Sequence, residues 1–201
     1  MFEGIYERQK NLEIRKIYSA TIAGLGGVGS WVSLLLALSG SIEKITLVDP
    51  DKVEIHNLNR TPYRFNQIGK YKSTGMAEII SERRPNLIIN PVIDYIENRL
   101  GLLEESNLFV DCRDRVDTLS EKSPILVGYD KDSISISIGF KNDKIFDSEY
   151  PSSSYTGAWV IPPVIGASLI VHYLLREQWD NERTVNRTLT ISELLNLIKE
   201  A

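Results

Sequence analysis

An α/β fold, with helices covering both faces of a mostly parallel sheet, is what this 201-residue sequence predicts, and three observations predict it. Short apolar runs around Ile17–Ala23 and at residues 44–48, 87–92 and 108–112 alternate with stretches of helical character. The first run passes through glycines directly into Trp31-Val32-Ser33-Leu34-Leu35-Leu36-Ala37-Leu38, so strand, turn and helix follow without a linker. Residues 133–140 alternate Ile134, Ile136 and Ile138 with Ser133, Ser135 and Ser137, the pattern of a half-buried antiparallel extension. No repeat or linker divides the chain, so residues 1–201 are expected to form a single domain, with a helical arm over residues 1–17.

The glycine turn is the most informative element. In Gly24-Leu25-Gly26-Gly27-Val28-Gly29, Gly24 permits a tight turn, Gly26 lets backbone approach a phosphate and Gly29 lets helix pack close to strand. The helix that follows offers free amides and a positive dipole end. Gly40 stops it, and residues 44–48 lead to Asp49, about 20 residues after Gly29, where a carboxylate accepts ribose hydroxyls. A Rossmann-like nucleotide site follows from that combination.

The remaining elements arrange themselves around this edge. The polar, periodless segment 49–60 reads as loop at the carboxyl end of the sheet; there Arg60, and Lys72 further on, are either phosphate-neutralising cations or surface charges. A helix is expected over 73–84, stopped by Pro85, and another over 97–106, weakened by Gly101. The strand at 108–112 ends in Cys112-Arg113-Asp114; Asp114 faces the edge of Asp49 and is a candidate for Mg²⁺, whereas Cys112 reads as a buried small hydrophobe. Strands are expected at 124–128 and 133–140. Asn142-Asp143 marks a turn before 144–146, and a Ser-rich crossover loop spans about 147–160. Pro162-Pro163 opens a helix to about residue 178, and a strand (188–191) and an amphipathic helix (192–199) finish the chain.

Composition narrows the classes. Charged residues make up 25% and hydrophobic ones 42%, ordinary for a globular domain. The net charge of -4 argues against broad binding to nucleic acid or anionic membranes. One cysteine and two histidines, His56 and His172, supply no disulfide framework and no four-cysteine zinc site. With no signal pattern and no membrane-length apolar run, a cytoplasmic location is expected by elimination.

Six segments together resemble the ThiF/HesA/MoeB superfamily of ATP-dependent activators of ubiquitin-like and sulfur-carrier proteins. They are Tyr6-Glu7-Arg8-Gln9, the glycine turn, Asp49-Pro50-Asp51 followed by Asn57-Leu58-Asn59-Arg60, Ile68-Gly69-Lys70-Tyr71-Lys72, Asp111-Cys112-Arg113-Asp114 and Pro163-Val164-Ile165-Gly166. The resemblance implies that Asp49 holds the ATP ribose and that Gly27 lies beside the nucleotide. It implies phosphate contacts from Asn57, Arg60 and Lys72, and places Asp114 near Mg²⁺–ATP. Arg8 would reach across a two-fold interface into the site of a homodimer partner. The implied reaction is attack of a carrier protein's C-terminal glycine carboxylate on the α-phosphate.

The chain departs from the family pattern in several places. Paired CxxC motifs are absent, so no structural zinc is expected. No cysteine lies in the 147–160 loop, which implies that the chain stops at the adenylate or hands it on. Thr61 and Arg115 stand where the family has glutamine and asparagine. Three alternatives stay open: a dehydrogenase using the same turn for NAD, a non-catalytic partner subunit, and adenylation of a small acid, a peptide or modified RNA.

Overall fold

The computed structural model describes residues 3–114, 119, 125–138, 157–176 and 185–199. They form one seven-stranded sheet of order β3-β2-β1-β4-β5-β6-β7. In chain order the elements are β1 (Ile17–Ala23), α1 (Gly27–Leu38), β2 (Ile42–Val48), α2 (Lys72–Ser81), β3 (Ile88–Val92) and α3 (Gly101–Glu104). They continue with β4 (Leu108–Asp111), β5 (Ile125–Asp130), β6 (Ser133–Ile138), α4 (Ile161–Arg176), β7 (Val185–Thr190) and α5 (Ile191–Lys199). Strands β1 to β5 pair in parallel; β6 and β7 add antiparallel at one side, as the Ile/Ser alternation predicts.

The parallel register decides where the site lies. Ala23 of β1 pairs with Val48 of β2 on one side and Asp111 of β4 on the other. The next residues, Gly24, Asp49 and Cys112, therefore leave the sheet side by side. Strand order reverses direction at β1, and such a switch point opens a crevice at the carboxyl edge.

Alternation along β1 sorts its residues between two faces. Ala20 and Ile22 join the main core, with Val32 and Leu36 of α1, Met76 and Ile80 of α2, and Ile170 and Leu174 of α4. The opposite face carries Ser19, Thr21 and Ala23. Ser19 bonds Asn107 Oδ1, and Ala23 packs in a smaller cluster with Val48, Ile96 and Phe109. Helical structure thus lies on both faces, with the long helices on one.

Two helix expectations are corrected. The arm is a 3₁₀ helix at Glu3–Gln9 and irregular after it, because Ile5 and Leu12 stay exposed and offer no continuous face. The helix expected over 97–106 is a 3₁₀ turn at Ile96–Asn98 and one α-turn, α3. Asp94 causes the break: its carboxylate takes Tyr95 N–H, Asn98 Nδ2 and Arg99 Nε at 2.8, 2.8 and 2.9 Å, which holds a local turn in place of a helix. The final strand starts earlier than expected and ends in a capping box, in which Glu193 Oε2 accepts Thr190 N–H and Thr190 Oγ1 accepts Glu193 N–H. Arg115, the turn at Asn142-Asp143, the segment 144–146 and the crossover loop up to residue 156 lie outside the described residues. Among those described, no helix is long and apolar enough to cross a membrane.

Candidate nucleotide site

The glycine turn is built as tightly as its sequence requires. Gly24 has φ +82°, and a β-carbon there would stand 2.7 Å from the Cys112 carbonyl oxygen. Gly29 is tighter still: a β-carbon would fall 1.8 Å from the Gly24 carbonyl oxygen, so α1 meets the strand end backbone to backbone. Gly26 differs, since a side chain there would meet nothing within 4 Å. Two roles separate on this evidence. Gly24 and Gly29 are required by packing, and Gly26 leaves an open approach to the N-terminal amides of α1.

Asp49 is only 4% exposed and is held from both sides. Its Oδ2 accepts the Leu25 N–H at 2.7 Å and its Oδ1 accepts the Asp51 N–H at 2.8 Å. Burial raises its pKa, while the Lys72 charge and the two N–H donors pull the other way. Each oxygen keeps a lone pair, so the carboxylate remains able to accept ribose hydroxyls.

The loop from Asp49 to Lys72 closes on itself. Lys52 and Tyr71 form a β-bridge, Val53 N–H donates to Lys70 O, and Lys72 N–H donates to Asp51 O. That pairing brings Lys72 Nζ to 2.9 Å from Asp51 Oδ2 and 4.0 Å from Asp49 Oδ1. Lys72 opens α2, where the helix dipole disfavours a cation; the two carboxylates offset this. Tyr63, which sequence reasoning passed over, clips the parts together. Its buried hydroxyl donates to Leu25 O at 3.0 Å, with Lys72 O at 3.2 Å.

Within the same loop, Asn57 is buried, and its Oδ1 accepts the Glu54 N–H at 3.0 Å, so its side chain shapes the loop. Arg60 is anchored through its backbone: Trp31 Nε1 of α1 donates to its carbonyl at 2.9 Å. Its guanidinium donates to His56 O and to Asn59 Oδ1. His56 itself is exposed beside Glu54.

At the end of β4, Asp111 is clamped by Arg113, whose Nε and Nη2 bond its two oxygens at 2.8 Å each, while Nη1 reaches Glu97 at 2.6 Å. The Arg113 N–H also donates to Asp111 Oδ1, a turn that carries Asp114 out to an exposed position beside the glycine turn. Among the described residues no three or more Asp, Glu, His or Cys side chains cluster as a metal site. A single carboxylate acting with substrate phosphates is a common way of holding Mg²⁺, so Asp114 fits that ion.

Arg8 is the one expected residue that lies elsewhere. Neighbouring Tyr6 packs on Gly40, past the C-terminal end of α1, and under the Arg84 guanidinium, whose carbon is 5.2 Å from the ring centre. With α1 spanning 12 residues, roughly 18 Å separates its two ends, and the glycine turn is at the other one.

Cys112 is buried, and desolvation, followed by the Asp111 and Asp114 charges, pushes its thiol far above the ordinary range. We therefore expect the native protein to resist iodoacetamide at pH 8, and Cys112→Ala to keep nucleotide binding. Rapid labelling of the folded chain would overturn this reading.

The ThiF family profile matches residues 4–137, about two thirds of the chain. The chain belongs to the ThiF family. Among its curated relatives, tRNA threonylcarbamoyladenosine dehydratase of Haemophilus influenzae is 33% identical over 118 residues, 57% of this chain and 44% of that protein. Adenylyltransferase and sulfurtransferase UBA4 of Candida albicans is 30% identical over 114 residues, 55% of this chain and 25% of that protein. The matched part of this chain thus spans less than half the length of either relative. In fold, E. coli MccB, solved with MccA-N7isoASN, matches with a TM-score of 0.67 at 18% identity, covering 92% of this chain and 66% of that one.

Proposed function

We propose that this ThiF-family chain adenylates a carboxylate, using ATP with Mg²⁺ as substrate. The observation that carries the reading is the convergence of Asp49, Lys72 and the open glycine turn at one edge, with Arg60 and Asp114 beside them. A dinucleotide dehydrogenase needs the turn and Asp49 but has no use for the cations. The adenylyltransferase named among the relatives, and the capture of MccB with AMPCPP and MccA, support the same direction.

In this reading Asp49 holds the ribose, and the first amides of α1, with Arg60, Lys72 and Asn57, hold the phosphates. A carboxylate oxygen attacks the α-phosphorus in line, the bond to the β-phosphate oxygen breaks, and pyrophosphate leaves. No side chain acts as nucleophile. The work is positioning and charge neutralisation, and Mg²⁺ adds to the latter when bound. We assign Asp114 to that ion and the acceptor to the C-terminal glycine of a ubiquitin-like or sulfur-carrier protein. The relative that acts on threonylcarbamoyladenosine in tRNA favours a second acceptor, the carboxylate of a modified RNA base.

ATP–pyrophosphate exchange, with and without each acceptor class, tests the reading, together with calorimetry against Mg–ATP and NAD. Micromolar NAD binding without ATP binding would sink it. Arg8 belongs to the proposal as a cation supplied in trans by a homodimer partner, since the distance to its own glycine turn argues against a role in cis. Arg8→Ala and Asp114→Asn homodimers should each be inactive. Mixed dimers contain one intact site and should regain exchange, up to half the wild-type value; a dead mixture with verified subunit exchange removes Arg8 from the mechanism.

A further inference from the structure

Tyr129 is absent from every motif considered so far, yet it stands over the glycine turn. It lies near the carboxyl end of β5, which runs parallel to β4 and so delivers its last residues to the edge occupied by Gly24 and Cys112. A β-carbon on Gly27, the first residue of α1, would fall 2.3 Å from the Tyr129 hydroxyl oxygen. The bare Gly27 backbone is therefore covered by a phenol. The Arg60 guanidinium and the Asp114 carboxylate both lie near enough to act on that hydroxyl, Arg60 favouring its ionised form and Asp114 opposing it. Three elements distant in sequence thus converge on one oxygen.

We propose that Tyr129 is a positioning residue: its hydroxyl accepts from Arg60 and holds the guanidinium over the first turn of α1, ready for an anionic phosphoryl group. Arg60 is then fixed along its length. Trp31 Nε1 holds its carbonyl and His56 O and Asn59 Oδ1 take donors from Nη1, which leaves Nε and Nη2 to the Tyr129 hydroxyl and the incoming anion. A guanidinium ordered before the ligand arrives loses less freedom on binding. The phenol, having accepted from Arg60, keeps its own proton to donate. Lys72 contrasts with this arrangement, because it is engaged by Asp51 at 2.9 Å and must share its charge. Burial raises the Tyr129 pKa and Arg60 opposes the shift, so the hydroxyl stays protonated at neutral pH.

The inference rests on the nucleotide reading for the identity of the anion, so its test has a part that needs no ligand. In the ligand-free full-length chain, hindered rotation of the Arg60 guanidinium should give resolved Nη signals by NMR, assigned by their loss in Arg60→Ala. Tyr129→Phe, which keeps the ring, should average those signals; unchanged signals would overturn the inference even if adenylation were established. By calorimetry, Tyr129→Phe should weaken ATP roughly tenfold, leave adenosine unchanged, and add nothing in an Arg60→Ala background. Equal loss in both backgrounds, or equal loss for adenosine, would mean that Tyr129 does not act through Arg60. If the NMR coupling is present but wild-type chain neither binds ATP nor exchanges pyrophosphate, the adenylation reading fails and the Tyr129–Arg60 arrangement stands.

Discussion

Gly29→Ala is expected to destabilise the protein by about 3 kcal/mol or more in urea titration, or to prevent folding. The added methyl would need the place of the Gly24 carbonyl oxygen 1.8 Å away, with Cys112 Cβ at 2.9 Å on another side. Neither neighbour is the flexible end of a side chain. Relief would require moving α1 off β1, and α1 is buried against α4 and the sheet along most of its length. Gly26→Ala is the matched control. Its methyl meets nothing, so stability should change by less than about 1 kcal/mol. ATP affinity should nevertheless fall, because the methyl narrows the approach to the α1 amides. If Gly29→Ala folds with wild-type stability, the backbone contact described here is wrong.

The second large effect is expected at Lys72 and Asp114. Lys72→Ala and Asp114→Asn should each cut ATP–pyrophosphate exchange on the order of 100-fold. Their effects on stability should differ. Asp114 is exposed, and its change should leave the unfolding midpoint within experimental error. Lys72→Ala removes the cation nearest to buried Asp49 and leaves Asp49 and Asp51 facing each other, so it should also destabilise the fold. The pH dependence has a definite sign. The folded pKa of Asp49 is already raised by burial, so its contribution is most favourable below the unfolded carboxylate pKa and is lost as pH rises through the folded value. Without Lys72 the rise is larger. The destabilisation should therefore be greatest at neutral pH and shrink on acidification toward pH about 4. Wild-type exchange by either variant removes that residue from the mechanism.

The backbone of this site was legible because glycine, strand-end and helix signals are local. Gly24, Gly29 and Asp49 stand where spacing placed them, and the Ile/Ser alternation of β6 read correctly as an antiparallel addition. Tyr63 and Tyr129 were not legible. Tyr63 sits in a loop without periodicity, and its role depends on the Lys52–Tyr71 bridge that folds the loop back. Tyr129 reaches the turn only because β5 lies next to β4, a long-range pairing no local signal records. The helix over 97–106 failed for a related reason, since Asp94, outside the segment, draws the Tyr95 amide and the Asn98 and Arg99 side chains into a local turn.

The two halves of the site differ in how they are tied to the fold, and this bears on the order in which they come undone. The Leu25 amide is locked to the buried Asp49 carboxylate just past the ends of two core strands, and such an amide exchanges with solvent only when a large part of the molecule opens. The loop carrying Asn57 and Arg60 is fastened by individual side-chain bonds such as Trp31–Arg60 and Thr61–Asn57. On partial unfolding, the Asp49 side of the site should therefore be the last to open and the Arg60 loop the first.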